Sequence, residues 1–394
     1  MVTFLPFPGF RPNLRAGEHV SDRISPPYDV IGDDYLKDLQ SRPFNVTNLT
    51  LNPDADKRYH GARKTLDSWI EEGALKQDQD SFYIYEQTFM DGDVSKIRTG
   101  IVGILKTEEY STGSVIPHEE TFSKVKADRL NLLRDMEAHL ESIFGIVEGF
   151  TPELNRKIKD NASLVYRYVD DSGVEHKYYR LSDPEITGQI SEQLSTQSML
   201  IADGHHRYET ALNYSLENPD DEKKGYVLAT LVASDDAGLV IWPPHRLVDS
   251  DDISEKNAIK GISSAMDVTE VEPEELEKVL PEHMMGLIFK SGRCFVADYK
   301  GEEGLWTLDT YVAQEKILKG VYKTDEGKGK VSYDAELTSV KEKMADKKHD
   351  LAIVLNDPSL QSIWDLSMVG KRMPKKTTFF FPKIWSGFVF YRMK

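Results

Sequence analysis

The chain has 394 residues, 29% of them charged and 10% aromatic, which is enough for two or three domains with sizeable cores. Its 49 basic and 66 acidic residues give a net charge of −17, which argues against a protein that coats nucleic acid or an anionic membrane. The single cysteine, Cys294, excludes an internal disulfide framework and any multi-thiolate metal centre.

The first 110 residues combine turn signals with one helix and two strands. Prolines predict an ordered loop with short strands over 1–31, and nothing in this stretch resembles a signal peptide. Apolar residues at helical spacing predict a helix over 56–73. Residues 81–89 and 98–110 predict two strands around the turn Asp91-Gly92.

The middle of the chain contains the strongest periodic patterns. Apolar residues at three- and four-residue steps predict an amphipathic helix over 124–144. The apolar run 198–204 predicts a strand that ends in glycine, and 206–216 is helical in composition. Further strands are predicted over 226–235 and 239–248. The sequence thus predicts a strand, a tight turn and a helix around residue 204.

The composition changes after about residue 249, where short helices and hairpins follow one another. Strands and helices in no strict βαβ order predict an α+β or mixed α/β fold. We predict an N-terminal α/β region over 1–110, a central region over 111–248 and a C-terminal α/β region over 249–394. No apolar run approaches the ~20 residues of a membrane span, and we expect a cytoplasmic protein.

The strongest motif is IADGHHRYETAL, residues 201–212. A strand that ends in Asp203 and Gly204 and opens into a helix presents backbone N–H groups and the positive end of the helix dipole. His205, His206 and Arg207 add donors, so we predict an anion site here. Asp203 is a candidate Mg²⁺ ligand or an orienting partner for a histidine. The alternative is that Asp203 caps the helix and the histidines satisfy buried polar groups.

The second motif is IPHEETFSKVKADRLNLL, residues 116–133. His118 beside Glu119 and Glu120 suits a general base whose pKa is tuned by its neighbours. Lys124 and Arg129 follow in the first helical turns and could offset phosphate charge. The alternative is that both glutamates are exposed residues near a helix start, where acidic side chains are favoured anyway.

Two further segments are ambiguous. MPKKTTFFFPKIWSG, residues 373–387, clusters Lys375, Lys376 and later Lys383 around an aromatic strand. These donors could bind a carboxylate or a phosphate. An ordinary surface loop would have the same sequence, and we favour this second interpretation. RISPPYDVI, residues 23–31, could place Tyr28 at a site, although a rigid Pro-Pro turn is a sufficient explanation.

Together, these four segments resemble those of a large prokaryotic family long catalogued as being of unknown function. Its central part is similar to the ParB/sulfiredoxin superfamily, whose members bind nucleotide phosphates at a helix start. By motif, the chain looks like the free serine kinases. The resemblance implies a ParB/sulfiredoxin-like catalytic core with additional N- and C-terminal α/β subdomains.

The resemblance also implies an activity and assigns roles to residues. It implies phosphorylation of free L-serine to O-phospho-L-serine, with ADP, ATP or pyrophosphate as donor and Mg²⁺ as cofactor. Residues 203–207 match the phosphate-binding motif. Glu119 matches the base that activates the serine hydroxyl, and Glu120 is the neighbour that could take this role.

Two other functions stay open at this stage. One is a ParB-like nucleotide-binding regulatory protein without turnover, and the other is a small-molecule phosphatase or other phosphotransferase. The expected partners are small molecules, namely L-serine and the phosphoryl donor, and neither nucleic acid nor a membrane is expected. The sequence does not fix the oligomeric state, and a homodimer is one alternative.

Overall fold

The structure is a computed structural model that describes residues 1–51, 60–120, 123–250, 253–277, 280–281, 283–301, 304–324 and 330–394. Within these ranges, the side chains of Asp29, residues 123–127 and Glu277 lie outside the description. The chain divides into two compact units. Unit 1 comprises Met1–Pro117, Thr121–Val240 and Pro382–Lys394, and unit 2 comprises His118–Glu120 and Ile241–Phe381.

Strands and helices occur throughout both units. The strands are β1 (Phe4–Leu5), β2 (Phe10–Pro12), β3 (Leu75–Gln77), β4 (Phe82–Asp91), β5 (Val94–Lys106), β6 (Val115–Ile116), β7 (Ala138–His139), β8 (Ile143–Val147), β9 (Ser163–Val169), β10 (Glu175–Leu181), β11 (Met199–Asp203), β12 (Tyr226–Ala233), β13 (Val240–Trp242), β14 (His245–Val248), β15 (Asp267–Val271), β16 (Met284–Phe289), β17 (Cys294–Asp298), β18 (Val331–Asp334), β19 (Leu351–Val354), β20 (Phe379–Phe381) and β21 (Tyr391–Arg392). The α-helices are α1 (Asp33–Ser41), α2 (Thr47–Thr50), α3 (His60–Glu71), α4 (Ser123–Met136), α5 (Pro152–Asn161), α6 (Pro184–Leu194), α7 (His205–Glu217), α8 (Glu255–Ser263), α9 (Asp309–Val312), α10 (Leu337–Ala345) and α11 (Leu360–Met368). A π-helical segment, Ala313–Lys319, continues α9. The predicted α+β class is confirmed.

Unit 1 is built on a mixed sheet with the order β6-β11-β8-β12-β5-β4-β10-β9, and β1 pairs with β5. The pairs β6–β11 and β8–β12 are parallel, and the other neighbours are antiparallel. The predicted boundary between 110 and 111 falls inside this unit, because β5 and β12 are direct neighbours in the sheet. The predicted N-terminal region and most of the predicted central region therefore belong to the same unit.

The central strands of this sheet are buried along their whole length. Every residue of β8 and the first seven residues of β12 are buried. Such continuous apolar strands are typical of a sheet covered on both faces. Helices α5, α6 and α7 contribute to the same core, for example through Leu154, Ile190 and Tyr208. The core therefore fixes α7 against the sheet that carries β11.

Strands β4 and β5 form the long hairpin that the sequence predicts around Asp91-Gly92. Gly92 has a φ of 57°, in the left-handed region that such a turn requires. The register places Gln87 directly opposite Arg98. Two buried polar side chains thus meet in this hairpin.

Helix α4 ends at Met136, so the predicted continuation to residue 144 is wrong. Glu137 adopts a φ of 47°, which stops a right-handed helix. The chain then extends through β7 into β8, where Ile143 lies in a strand. Leu140 and Ile143 keep helical spacing with the helix residues, and periodicity alone does not separate a helix from a short buried strand.

Unit 2 contains a second, antiparallel sheet with the order β15-β17-β16-β19-β14-β18. The hairpin β16–β17 turns at Gly292, which has a φ of 91°. Helix α8 and the π-helical segment pack on this sheet around Phe289 and Ile317. In the described part of both units, no helix is long and apolar enough to cross a membrane.

Candidate active site

The turn between β11 and α7 contains the motif that the sequence singled out. Residues 199–202 are buried, and Asp203 is the first residue of the strand to reach solvent. Gly204 occupies the helix N-cap position with a φ of 94°, in the left-handed region that favours glycine. The predicted strand–turn–helix is confirmed. Because the N-cap residue is a glycine, no side chain caps the start of α7.

The Asp203 carboxylate lies between two cations of unit 1. Arg207 Nη2 donates to Asp203 Oδ2 at 2.5 Å, and Lys383 Nζ donates to Oδ1 at 3.2 Å. Arg207 Nη1 also donates to the carbonyl oxygen of Ser142. The exposed fractions of Asp203, Arg207 and Lys383 are only 30%, 17% and 14%. The cluster thus brings one carboxylate and two cations together, largely sheltered from solvent, at the start of α7.

Lys383 is held in place by the polar pair of the β4–β5 hairpin. Arg98 donates from Nη2 to Gln87 Oε1 and to the carbonyl oxygen of Pro382, and Gln87 Nε2 donates to the carbonyl oxygen of Lys383 at 2.9 Å. Arg98 is buried, with its guanidinium carbon 4.9 Å from the ring centre of Phe144. Burial lowers the pKa of Arg98 to about 10. The hairpin therefore positions the backbone from which Lys383 reaches Asp203.

Arg98 and Gln87 are residues that sequence reasoning did not identify. A signal was present, because Gln87 and Arg98 lie at matching distances on either side of the predicted turn at Asp91-Gly92 and face one another in the hairpin. Polar side chains on a buried face need partners, so such a pair marks a point where another segment must dock.

A small cavity of about 60 Å³ lies beside Arg207 in unit 1. Arg129 of α4 lines it, with its guanidinium carbon 4.0 Å from the ring centre of Tyr28. Glu141 lines the same cavity, and its Oε2 lies 3.9 Å from Arg129 Nη1. The structure thus brings Arg129 of the second motif and Arg207 of the first to one cavity, and Tyr28 of the Pro-Pro segment contacts Arg129.

Three further candidates for binding phosphate are His205, His206 and Lys124. His205 is buried, and His206 is half-buried on the first turn of α7. Lys124 belongs to the residues of α4 whose side chains lie outside the description.

The acidic part of the second motif belongs to unit 2. Glu119 Oε1 accepts the backbone N–H of Lys376 at 2.9 Å, and the Glu119 side chain is 21% exposed. His118 is fully buried, and its Nε2 lies 3.0 Å from Thr378 Oγ1 and 4.0 Å from Glu119 Oε2. Glu120 is exposed. The hydrogen bond from Lys376 gives Glu119 a fixed orientation, whereas Glu120 is exposed to solvent.

Two segments that looked separate in the sequence are therefore neighbours. Residues 118–120 pair with the start of the MPKKTT segment through a parallel bridge between Glu119 and Met373. The backbone N–H of Met373 donates to the carbonyl oxygen of His118 at 2.8 Å. The MPKKTT segment, for which a surface loop was favoured, instead holds the candidate base.

The expected Mg²⁺ ligand does not fit the charges around it. Asp203 has a cation on each oxygen, and two positive charges within 3.2 Å oppose a third. The described residues also include no group of three or more His, Cys, Asp or Glu side chains that could hold a metal ion. The assignment of Asp203 as a metal ligand stays a prediction, and no step proposed below depends on Mg²⁺.

Replacement of Asp203 by Asn tests its role as a counter-ion. With the carboxylate neutralised, Arg207 and Lys383 attract an anion more strongly, and Asp203→Asn should bind pyrophosphate about threefold to tenfold more tightly in metal-free buffer. Asp38→Asn is the matched control, because Asp38 pairs with Arg42 at the same spacing and at the same 2.5 Å but is 54% exposed. Calorimetry measures both, and weaker binding by Asp203→Asn would contradict the counter-ion role.

Gly204→Ala should disturb the cluster through the new Cβ. This atom would lie 3.1 Å from Nε and Nη2 of Arg207 and from Cγ2 of Ile143, at a backbone φ of 94°. We expect a loss of about 1–2 kcal/mol of unfolding free energy and weaker pyrophosphate binding. Gly173→Ala is the control, because its φ is 80° and no described atom lies within 4 Å of its Cβ. Equal anion affinity in both variants, measured alongside urea unfolding, would show that the Arg207 contact is irrelevant.

Fold and site define a mixed α+β protein whose first unit carries a positively charged helix start. Residues 4–315 match the family DUF1015, described as a protein of unknown function, and the chain belongs to this family. Among curated proteins, none matches the sequence significantly.

Several solved structures are similar to this chain. A free serine kinase in complex with AMP is 14% identical, with a TM-score of 0.39 over 68% of this chain and 83% of its own. A variant of a free serine kinase in complex with ADP is also 14% identical, with a TM-score of 0.39 over 68% and 84%. A conserved hypothetical protein from Pyrococcus furiosus is 15% identical, with a TM-score of 0.39 over 69% and 89%.

Proposed function

We propose that this protein transfers a phosphoryl group from ADP, ATP or pyrophosphate to the hydroxyl group of free L-serine. The product is O-phospho-L-serine. The proposal combines the resemblance of the motifs to those of free serine kinases with the positively charged cluster at the start of α7.

The observation that carries the proposal is the placement of Arg207 and Lys383 around Asp203, one residue from the helix cap at Gly204. A helix start favours anions because its first N–H groups and its dipole point outward. Arg207 and Lys383 place two cationic groups at this helix start, where they would attract the phosphate oxygens of the donor. Phosphoryl transfer depends mainly on such positioning and charge stabilisation.

The reaction balances with one acid–base group. Serine Oγ attacks the phosphorus and forms the new P–O bond, and its proton passes to a carboxylate of the protein. The bond between phosphorus and the leaving oxygen of the donor breaks, and its electron pair stays on that oxygen. AMP, ADP or inorganic phosphate leaves, depending on the donor.

We propose Glu119 as the carboxylate that accepts the proton. Of the two adjacent glutamates, Glu119 is the one with a fixed orientation, because Lys376 N–H donates to its Oε1 at 2.9 Å. Glu120 is exposed and has the freedom of a surface side chain. A positioned base typically contributes about 10²–10⁴-fold to a rate.

The decisive experiment incubates the purified protein with L-serine and each donor separately, with and without Mg²⁺, and measures phosphoserine. We expect phosphoserine with at least one donor and none when L-alanine, which lacks the hydroxyl group, replaces serine. Nucleotide binding without product would support a regulatory protein instead. Release of phosphate from O-phospho-L-serine in the absence of a nucleotide or pyrophosphate acceptor would support a phosphatase.

A further inference from the structure

Arg129 and Glu141 of unit 1 are half-buried, and their charged groups face each other without a hydrogen bond. The two side chains are 12% and 10% exposed, and their nearest charged atoms are 3.9 Å apart. This separation is too long for a hydrogen bond, which needs about 2.7–3.2 Å. No hydrogen bond to either side chain occurs within the described ranges. Buried ions need close, hydrogen-bonded partners to offset their loss of hydration, so both groups have unused capacity for a polar ligand.

Both residues line one cavity, together with His139 and several apolar side chains. Nε2 of the buried His139 has no hydrogen-bond partner among the described residues. Burial lowers the pKa of His139 to about 4, so this ring is neutral at neutral pH and adds no charge. The apolar walls come mainly from Leu132, Leu133, Met136 and Leu140. The volume of about 60 Å³ admits only a small solute or the polar end of a larger one.

We propose that this cavity binds the zwitterionic end of a small α-amino acid. Arg129 holds the α-carboxylate and Glu141 holds the α-ammonium group. The two protein charges cancel, and so do the two charges of the amino acid, so binding leaves no buried charge without a counter-charge. A solute with only one of the two charged groups would leave either Arg129 or Glu141 uncompensated.

The position of the cavity relates it to the helix start. Arg207 lines the cavity and also donates to Asp203 in the cluster of cations. An amino acid on Arg129 and Glu141 therefore lies beside the turn proposed to hold the phosphoryl donor. Its role as the acceptor rests on the proposed function, whereas its binding does not require turnover.

The test measures binding to the full chain by calorimetry without any phosphoryl donor. The ligands are L-serine, L-alanine, ethanolamine, which lacks the carboxylate, and D-glycerate, which carries a hydroxyl group in place of the ammonium group. We expect L-serine and L-alanine to bind, and ethanolamine and D-glycerate to bind at least tenfold more weakly. Equal affinity for all four ligands, or no binding of either amino acid, would overturn the proposal.

Variants of Arg129 and Glu141 test which charged group of the amino acid each residue binds, because each variant should lose a different ligand preference. Glu141→Gln should lose most of the preference for L-serine over D-glycerate, and Arg129→Gln should lose most of the preference for L-serine over ethanolamine. A merely structural defect would weaken the binding of all four ligands by the same factor and leave the affinity ratios between them unchanged. Arg134→Gln is the matched control, because Arg134 lies on the same helix in an exposed pair with Glu217. Unchanged ratios in both cavity variants would refute the assignment, and if a variant does not fold, the ligand series on the unmodified chain decides.

Binding and turnover separate the two proposals. Selective binding of amino acids without phosphoserine from any donor would support the cavity and reject the kinase. Phosphoserine formation with a KM for serine that is unchanged in both cavity variants would support the kinase and reject the cavity.

Discussion

Glu119→Gln should lower the rate of phosphoserine formation by about 10³-fold while leaving donor affinity within twofold of the unmodified protein. The reason is that the amide keeps the shape of the side chain and can still accept the Lys376 N–H through its oxygen, but it cannot take the serine proton. The measurement pairs single-turnover kinetics with calorimetry of ADP binding.

Glu120→Gln is the control for this prediction. It changes the same charge one residue away on an exposed side chain, and its rate should stay within about twofold. A Glu119→Gln variant that keeps most of its activity would remove Glu119 as the base. If Glu120→Gln were the inactive variant instead, the exposed glutamate would have to carry the role.

Arg207→Ala should reduce kcat/KM for the donor by about 10²–10³-fold. The substitution removes one of the two cations of the cluster together with the contacts to Asp203 and to the Ser142 carbonyl oxygen. Lys383 keeps its contact with Asp203, but the helix start has one positive charge fewer. We expect a loss of about 2 kcal/mol of unfolding free energy, because charged hydrogen bonds are broken.

The control for this prediction is Arg134→Ala. Arg134 pairs with Glu217 at the same 2.5 Å but is 46% exposed, and its removal should change neither the kinetics nor the melting temperature measurably. Arg207→Lys retains the charge without the two-pronged guanidinium and should recover part of the donor affinity. Donor kinetics that are equal in Arg207→Ala and Arg134→Ala would show that Arg207 does not act on the donor.

Local features of the site were accessible from the sequence. The turn at Gly204 was predicted because an apolar run, a glycine and a helical pattern follow one another within a few residues. The hairpin turn at Asp91-Gly92 was predicted in a similar way, because a turn dipeptide stands between two strand patterns. These are short-range consequences of backbone geometry and side-chain spacing.

Contacts distant in sequence were not accessible in the same way. Lys383 reaches Asp203 across 180 positions, and Arg98 contacts Pro382 across 284. No periodicity connects such residues, because their proximity depends on how strands are ordered within a sheet. The end of α4 was missed for a related reason, since the residues after Met136 are recruited into strands by their neighbours in space.

The return of residues 382–394 to unit 1 sets an order of events during synthesis. Asp203 and Arg207 leave the ribosome before all of Ile241–Phe381, whereas Lys383 follows 180 residues after Asp203. At roughly 5–20 residues per second, translation separates the two halves of the cluster by roughly 10–40 s. Phe390, which packs in the same core cluster as Trp69, arrives later still. A nascent chain therefore holds an unfinished first unit until the second has been made, and the cation pair around Asp203 exists only once both are complete.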